Sequence, residues 1–386
     1  MTTVGQYAIA ALKLIAAFFV TLVLRGKRHR RNLMLVSEMG NDARDNGYHF
    51  FLHVLQHHPE IEVYYVISDD SPDRPRLAEY ENNLVRYLSF RHCKLFCQAH
   101  WLVGTHLRSG HTPLPFEAAK WLNRILHIFK HKKVVFLQHG ITKNYQRRFV
   151  SKNTFFDLVI CGAAPEANFF VEQFHYSPDV ARYTGFCRYD KLLDFQVKYQ
   201  LLLMPTWRNY INPSQITDSL FYKSYHALLT DPRLASILER YNINLIFYPH
   251  HRFQPVVGQF KEGVTSPHII IADVAHYDVQ QLLKESALLI TDYSSVLFDF
   301  VYMKKPALFY QFDREDYITK HFEQGYVDED SFGPVAKDVD GLLSLLETYL
   351  EGGMHLEPSY EATVDRFFPI RDTHNCERVF DAVMKC

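Results

Sequence analysis

The chain has 386 residues, 47% of them apolar and 22% charged, with a formal net charge of −1. That is enough apolar material for two or three domains, which excludes wholesale disorder. The near-zero charge argues against a nucleic-acid binder held by a strong global positive field. Six scattered cysteines exclude a disulfide framework, so the thiols read as reduced and intracellular.

Residues 8–24 form one apolar stretch, interrupted by Lys13 and Thr21 and followed by a basic flank over residues 25–31. The stretch is slightly short for a bilayer span of about 20 residues, and no small-residue cleavage site follows it. Three readings stay open. One is a short signal anchor that keeps the rest of the chain cytoplasmic. Another is an interfacial helix, with Lys13 snorkelling and the basic flank on anionic lipid headgroups. The third is an ordinary helix packed on the body, its basic flank solvated. Residues 1–31 are assigned as a membrane-associating segment, at the cytoplasmic face of the cell membrane.

From Asn32 onward strand and helix alternate. Residues 33–36 read as a buried strand, 48–56 as a helix, and 61–68, 99–105, 133–138 and 158–161 as further strands. A second series of strands covers 201–204, 244–248, 287–290 and 306–310. The alternation predicts parallel sheets with helices on both faces. Two series of similar size predict an α/β protein with two Rossmann-like domains, 32–195 and 196–386. The terminal segment 376–386 reads as a helix of the second domain, which fold analogy alone would carry back across the junction.

In open α/β sheets, ligands bind outside the carboxyl ends of the strands. Four polar clusters fall there: His139-Gly140, Thr206-Trp207-Arg208, His250-His251-Arg252 and the run from Thr291 to Ser295. Asp292 or Ser294 is placed to cap the helix that follows. The free N–H groups at that helix start would suit a phosphate, with the Ser294 and Ser295 hydroxyls adding donors. Asp299 lies four residues beyond Ser295, on the same helical face, where it could accept from ribose hydroxyls. His139 has the side chain for taking a proton from an attacking hydroxyl. His250, Arg252 and Arg208 suit a pyrophosphate. Each of these residues also has a plain structural reading as a cap, a surface side chain or a satisfied core group.

Several chemistries have no motif here. There is no Walker A sequence, no G-x-G-x-x-G loop and no G-x-S-x-G elbow. His49 and His53 lack the glutamate of a zincin between them, and Asp69, Asp70 and Asp73 read as an acidic loop rather than a metal site.

The motifs resemble those of the CDP-glycerol glycerophosphotransferase family, which contains teichoic-acid glycerol-phosphate primases and polymerases. The resemblance spans residues 33–383 and is most specific over 278–317, where ITDYSSVLFDF is followed by KKPALFY. LQHGITKN, TGFCRYDKLL, MPTWRNY, YPHHRF and the loop ending in Asp45-Asn46 are similar to further family segments, with Cys187 replacing a proline. The resemblance implies a GT-B-like fold whose two Rossmann-like domains face a central cleft, the second binding the CDP donor. It implies transfer of glycerol phosphate from CDP-glycerol, with CMP leaving, onto a lipid-linked or capsular glycan acceptor. His139 would be the general base. His250, Arg208 and the 291–295 turn would hold the donor phosphates, with Gly140, Thr206 and Arg252 nearby and Asp299 toward the ribose. Phosphoryl transfer rests mainly on positioning and charge neutralisation, so no cofactor or metal is expected as obligatory. Anionic membrane lipid is the expected surface partner, and nucleic acid is not expected. A CDP-ribitol transferase, a non-catalytic nucleotide-binding membrane scaffold and a sugar transferase are the alternatives. The sugar transferase would release a nucleoside diphosphate rather than CMP.

Overall fold

The computed structural model of the protein describes residues 3–23, 30–320 and 325–386. The chain divides into two units. The first comprises Met1–Ile141, Arg147–Lys191 and Asp372–Cys386, and the second Thr142–Gln146 and Leu192–Arg371.

In the first unit seven strands pair in parallel: β1 (Arg30–Ser37), β2 (Glu62–Ile67), β3 (Leu84–Arg86), β4 (Ala99–Gly104), β5 (Lys133–Phe136), β6 (Leu158–Cys161) and β7 (Ala181–Tyr183). Their order is β3-β2-β1-β4-β5-β6-β7. The sheet therefore changes winding direction between β1 and β4, the place where open α/β sheets carry their ligands. Helices α1 (Thr3–Val23), α2 (Asn46–His57), α3 (Phe90–Gln98), α4 (Phe116–Leu126) and α5 (Ala164–Glu172) belong to this unit. The β1, β4 and β5 strands are nearly continuous in Leu, Val and Trp because both sheet faces are covered. Leu33, Leu35, Leu102 and Val134 form one core with Leu95 and Phe96 of α3 and Ala119 of α4.

The second unit repeats the plan with β8 (Gln200–Leu203), β9 (Asn244–Phe247), β10 (Ile269–Ile271), β11 (Leu288–Thr291), β12 (Ala307–Tyr310) and β13 (Val335–Ala336). Their order is β10-β9-β8-β11-β12-β13, all parallel, with the switch between β8 and β11. Among the described residues seven α-helices accompany them. They are α6 (Leu220–Leu229), α7 (Pro232–Arg240), α8 (Val279–Glu285), α9 (Val296–Tyr302), α10 (Arg314–Lys320), α11 (Val339–Glu351) and α12 (Pro358–Phe367). Aromatic side chains from α6 and β9, among them Phe221, Tyr225 and Phe247, fill the core with the leucines of α11.

One expectation is corrected. The terminal helix α13 (Asn375–Lys385) belongs with the first unit, not the second. Asp190 explains why: its carboxylate accepts from the N–H groups of Asn375 (2.7 Å) and Cys376 (2.9 Å), a helix cap supplied from elsewhere in the chain. Gly185 makes room for the same helix. Its φ is +78°, and a Cβ there would lie 1.9 Å from Asn375 Oδ1. The N-terminal helix, in turn, is packed on the body. Ala10 and Ala17 are fully buried, Lys13 Nζ donates to Leu88 O at 3.0 Å, and Tyr7 meets Tyr87. Among the described residues no helix is long and apolar enough to cross a membrane. Most of the basic flank, residues 24–29, lies outside the described residues.

Candidate functional site

The first unit gathers its polar groups at the carboxyl ends of β1, β4 and β5, which neighbour one another in the sheet. Beyond β5 the chain turns at Gln138, whose φ is +59°. Side chains hold that turn. Asn46 Nδ2 donates to Gln138 O at 2.8 Å, and Gln138 Nε2 donates to Ile160 O at 2.8 Å and to Glu166. The turn delivers His139 to the surface while Gly140 stays buried. The His139 ring lies parallel to His106, centroids 4.3 Å apart, and hydrogen-bonds the Thr105 backbone. A ring N–H given to a carbonyl leaves the other nitrogen as the acceptor, the state a base requires. Desolvation by the surrounding protein holds the imidazole below its ordinary pKa, with Arg188 and Arg148 adding to the shift and Asp45 opposing it. Burial, then His139 and Arg148, pushes His106 down to about 3. Both rings are neutral at pH 7.

Behind this pair is a network that sequence reasoning does not find. Glu38, 1% exposed, accepts from the backbone N–H groups of Arg44, Asp45 and Tyr48 and so shapes the loop between β1 and α2. Burial, and Asp45 beside it, raise its pKa. Asp45 in turn accepts from Arg188 Nη1 at 2.9 Å, and Asn46 Oδ1 accepts from Arg188 N. The Asp45-Asn46 loop and the segment around Arg188 are thus one structural piece. The acidic loop read at 69–73 is structural too: Asp73 pairs with Arg44, and Asp69 with Arg86.

In the second unit the predicted donor residues sit at the ends of β8, β9 and β11, again three adjacent strands. They divide into an inner and an outer set. Arg208, expected among the donor-phosphate residues, is fully buried and paired with acidic and backbone acceptors. Its Nε and Nη2 donate to Asp313 at 2.7 and 2.9 Å, and Nη1 reaches Asp292 (2.9 Å) and Thr206 O (2.8 Å). Tyr293, Tyr317 and Phe221 close around the guanidinium at 5.0–5.3 Å. Asp292 is equally committed, accepting from the N–H groups of Thr206 and Tyr293 and from the Tyr225 hydroxyl. Thr291 donates to Met204 O, and Asp299 is 7% exposed. These four groups build the floor of the strand ends.

The outer set faces solvent. Trp207 organises it: Arg252 lies over its indole at 4.3 Å, and His250 stacks near it at 6.0 Å. His250 Nδ1 accepts from Arg252 N at 3.3 Å, which assigns the ring proton to Nε2. Arg252 and Ser295 are exposed, and Ser294 and Thr206 half-buried. The Thr206 hydroxyl oxygen is buried with no hydrogen-bond partner among the described residues. Neither Asp292 nor Ser294 is the expected cap: Ser295 stands at the N-cap with no side-chain cap hydrogen bond, and Ser294 Oγ accepts from Val296 N at 3.4 Å. Among the described residues no three His, Cys, Asp or Glu side chains cluster as metal ligands.

A family model described as CDP-glycerol:poly(glycerophosphate) glycerophosphotransferase matches residues 17–385. The chain is 30% identical over 374 residues to the minor teichoic acid biosynthesis protein GgaB of Bacillus subtilis, covering 92% of this chain and 40% of that protein. It is 22% identical to the teichoic acid poly(glycerol phosphate) polymerase of the same organism, over 97% of this chain and 52% of that one. It therefore spans about half, or less, of the length of these relatives. Among solved structures, the wall teichoic acid polymerase TagF superposes with a TM-score of 0.66 at 19% identity, over 100% of this chain and 98% of that chain. That likeness is one of fold.

Proposed function

The chain belongs to the CDP-glycerol:poly(glycerophosphate) glycerophosphotransferase family, and from that premise we propose that it moves glycerol phosphate from CDP-glycerol to an acceptor hydroxyl, releasing CMP. The acceptor is a membrane-linked or cell-surface glycan or polyol phosphate, met at the cytoplasmic face of the cell membrane. The observation that carries the reading is His139. It is a surface-facing imidazole, neutral at pH 7, with one nitrogen engaged by the Thr105 backbone. In the proposed reaction its other nitrogen takes the proton as the acceptor oxygen bonds to the glycerol-bearing phosphorus. The bond from that phosphorus to the bridging oxygen breaks, and CMP leaves with the electron pair. Because the transition state is spread over phosphate oxygens, catalysis rests on positioning and charge neutralisation.

The second unit holds the donor in this proposal. His250 donates through Nε2–H and Arg252 supplies charge. The Ser294 and Ser295 hydroxyls face the phosphates, and the unsatisfied Thr206 hydroxyl turns to the donor. Arg208, Asp292 and Thr291 fix the backbone beneath them. No obligatory metal is part of this proposal, because positioning and charge neutralisation come from these side chains, and activity in the presence of a chelator tests that. The test is nucleotide release by detergent-solubilised protein offered CDP-glycerol, CDP-ribitol or a UDP-sugar, with and without a lipid-linked acceptor extract. Acceptor-dependent CMP from CDP-glycerol supports the proposal. CMP from CDP-ribitol alone changes the donor, and release of a nucleoside diphosphate refutes attack at phosphorus.

A further inference from the structure

Two neighbouring strand ends bring a second imidazole to the candidate base. Gly104, the last residue of β4, pairs with Phe136, the last of β5, and Gly104 O accepts from Leu137 N at 2.8 Å. His106 therefore leaves the sheet beside His139, each a few residues past its own member of that pair. The two rings stack with centroids 4.3 Å apart and planes 9° from parallel, close to the offset face-to-face contact that aromatic rings favour. No water fits between rings at that separation. One face of His139 is thus covered by His106, while the residue as a whole stays exposed.

The loop after β4 is built to hold His106 in place. His106 N donates to Ser109 Oγ at 2.9 Å, and the same hydroxyl donates to His106 O at 2.6 Å, which closes the loop on itself. A Cβ on Gly104 would collide with the Ser109 side chain, so this closure needs the glycine. On the ring, His106 Nδ1 shares a hydrogen bond of 2.8 Å with the hydroxyl of the fully buried Thr105. Thr105 thereby serves both imidazoles, His106 through its hydroxyl and His139 through its backbone. Burial, with His139 and Arg148 adding to it, keeps His106 neutral at working pH, so it does not compete for the proton that His139 takes. The charged groups acting on His139 itself are Asp45, Arg188 and Arg148.

We infer that His106 is the positioning residue of the base: its imidazole face sets the plane of the His139 ring and keeps water from one side of it, so that the nitrogen not held by Thr105 meets the acceptor hydroxyl in one orientation. A base on a strand-end turn needs such a support, because proton transfer demands hydrogen-bond reach and alignment, and a misplacement of about 1 Å costs on the order of 10²-fold in rate. The inference rests on His139 being the base of the reaction proposed above. The state of the His139 ring can be read with no donor or acceptor present, so a failure of the inference is distinguishable from a failure of that reaction.

The experiment is an NMR pH titration of the full chain labelled with ¹⁵N in its histidine rings, with a His139→Asn chain identifying the His139 signals among the 21 histidines. In wild type, His139 is expected to titrate below pH 6.5 and to hold one tautomer when neutral. His106→Ala removes the covering ring, and His106→Gln does so while keeping a partner for the Thr105 hydroxyl. In both, the midpoint moves up toward 6.5 as water reaches the exposed face, and both tautomers are populated. In His106→Phe the stacked face is restored and the midpoint returns to its wild-type place. Kinetics with CDP-glycerol and a lipid-linked acceptor give the second readout. His106→Ala and His106→Gln lower kcat about 10- to 100-fold with the donor KM unchanged, and His106→Phe recovers most of the rate. An unchanged thermal midpoint checks the fold of each variant. A wild-type titration or a wild-type kcat in folded His106→Ala or His106→Gln overturns the inference. So does a His106→Phe chain as slow as His106→Ala, since the ring face would then not be what positions the base.

Discussion

Arg208 offers the sharpest mechanical prediction, because its pattern in the sequence suits a phosphate ligand and its place in the fold does not. The perturbation is Arg208→Met, which keeps the apolar stem and removes the guanidinium. Three nitrogens now reach Asp313, Asp292 and the Thr206 carbonyl from a fully buried position. Truncating one partner of a buried ion pair costs about 3–5 kcal/mol, chiefly because the remaining charge stays buried and unpaired. Tyr225 and the N–H groups of Thr206 and Tyr293 still donate to Asp292, so the middle of that range, about 4 kcal/mol, is the expected loss. With a urea slope of about 2 kcal/mol per molar, the unfolding midpoint of the second unit falls by about 2 M. Urea titration followed by circular dichroism reads this directly. Arg208→Lys keeps a charge but loses the two-pronged contact with Asp313, and falls between. An Arg208→Met chain with a wild-type midpoint and a weakened donor KM would show that the guanidinium serves the ligand, and the reasoning would be refuted.

Other consequences follow from the same physical terms. His92 and His111 are buried, and burial lowers their pKa values to about 4 and about 3. A base whose folded pKa is depressed leaves the unfolded chain binding more protons, so this stability is present above pH 6.5 and lost as pH falls toward 4. Each contributes a slope of up to about 1.4 kcal/mol per pH unit, and a His111→Asn chain should show a flatter urea midpoint between pH 7 and 5. The lowered pKa of His139 sets the acid limb of kcat/KM below pH 6.5, with a plateau by neutrality; a limb above 7 would contradict its assignment as the base. Gly185→Ala and Asp190→Ala each loosen α13, one by a clash with Asn375 and a strained φ, the other by uncapping it. Amide exchange over 375–385 should accelerate in both, by about 5- to 30-fold for a lost cap worth about 1–2 kcal/mol.

The legible part of the fold was its middle. Every strand that has neighbours on both sides carries a run of Leu, Val, Ile or Phe, and the sequence pattern finds each of them. The four strands it misses, β3, β7, β10 and β13, are the four sheet edges. They are two or three residues long, as edges commonly are, and so carry no periodicity to read. The terminal helix illustrates the same limit, since only a tertiary cap from Asp190 says which unit it joins. At the site, His139 is legible because it ends a buried strand, whereas Glu38 is not, because a single carboxylate folding a loop around itself has no spacing signature. Arg208 shows the converse. An arginine after a proline-bounded strand looks the same whether it points to ligand or inward. The distinguishing signal was the pair of aspartates, Asp292 and Asp313, ending two other strands, and it becomes readable only once strand order is known.

The central claim is that His139 activates an acceptor hydroxyl for attack on the glycerol-bearing phosphorus of CDP-glycerol. Donor labelled in that phosphorus, offered with a lipid-linked acceptor, tests it most directly when incorporated label and released CMP are counted together. The account predicts equal amounts of the two from wild type. It predicts a fall of about 10²- to 10⁴-fold in His139→Ala, with CDP binding unchanged. Label reaching the acceptor at the wild-type rate in His139→Ala, or CDP released in place of CMP, would contradict it.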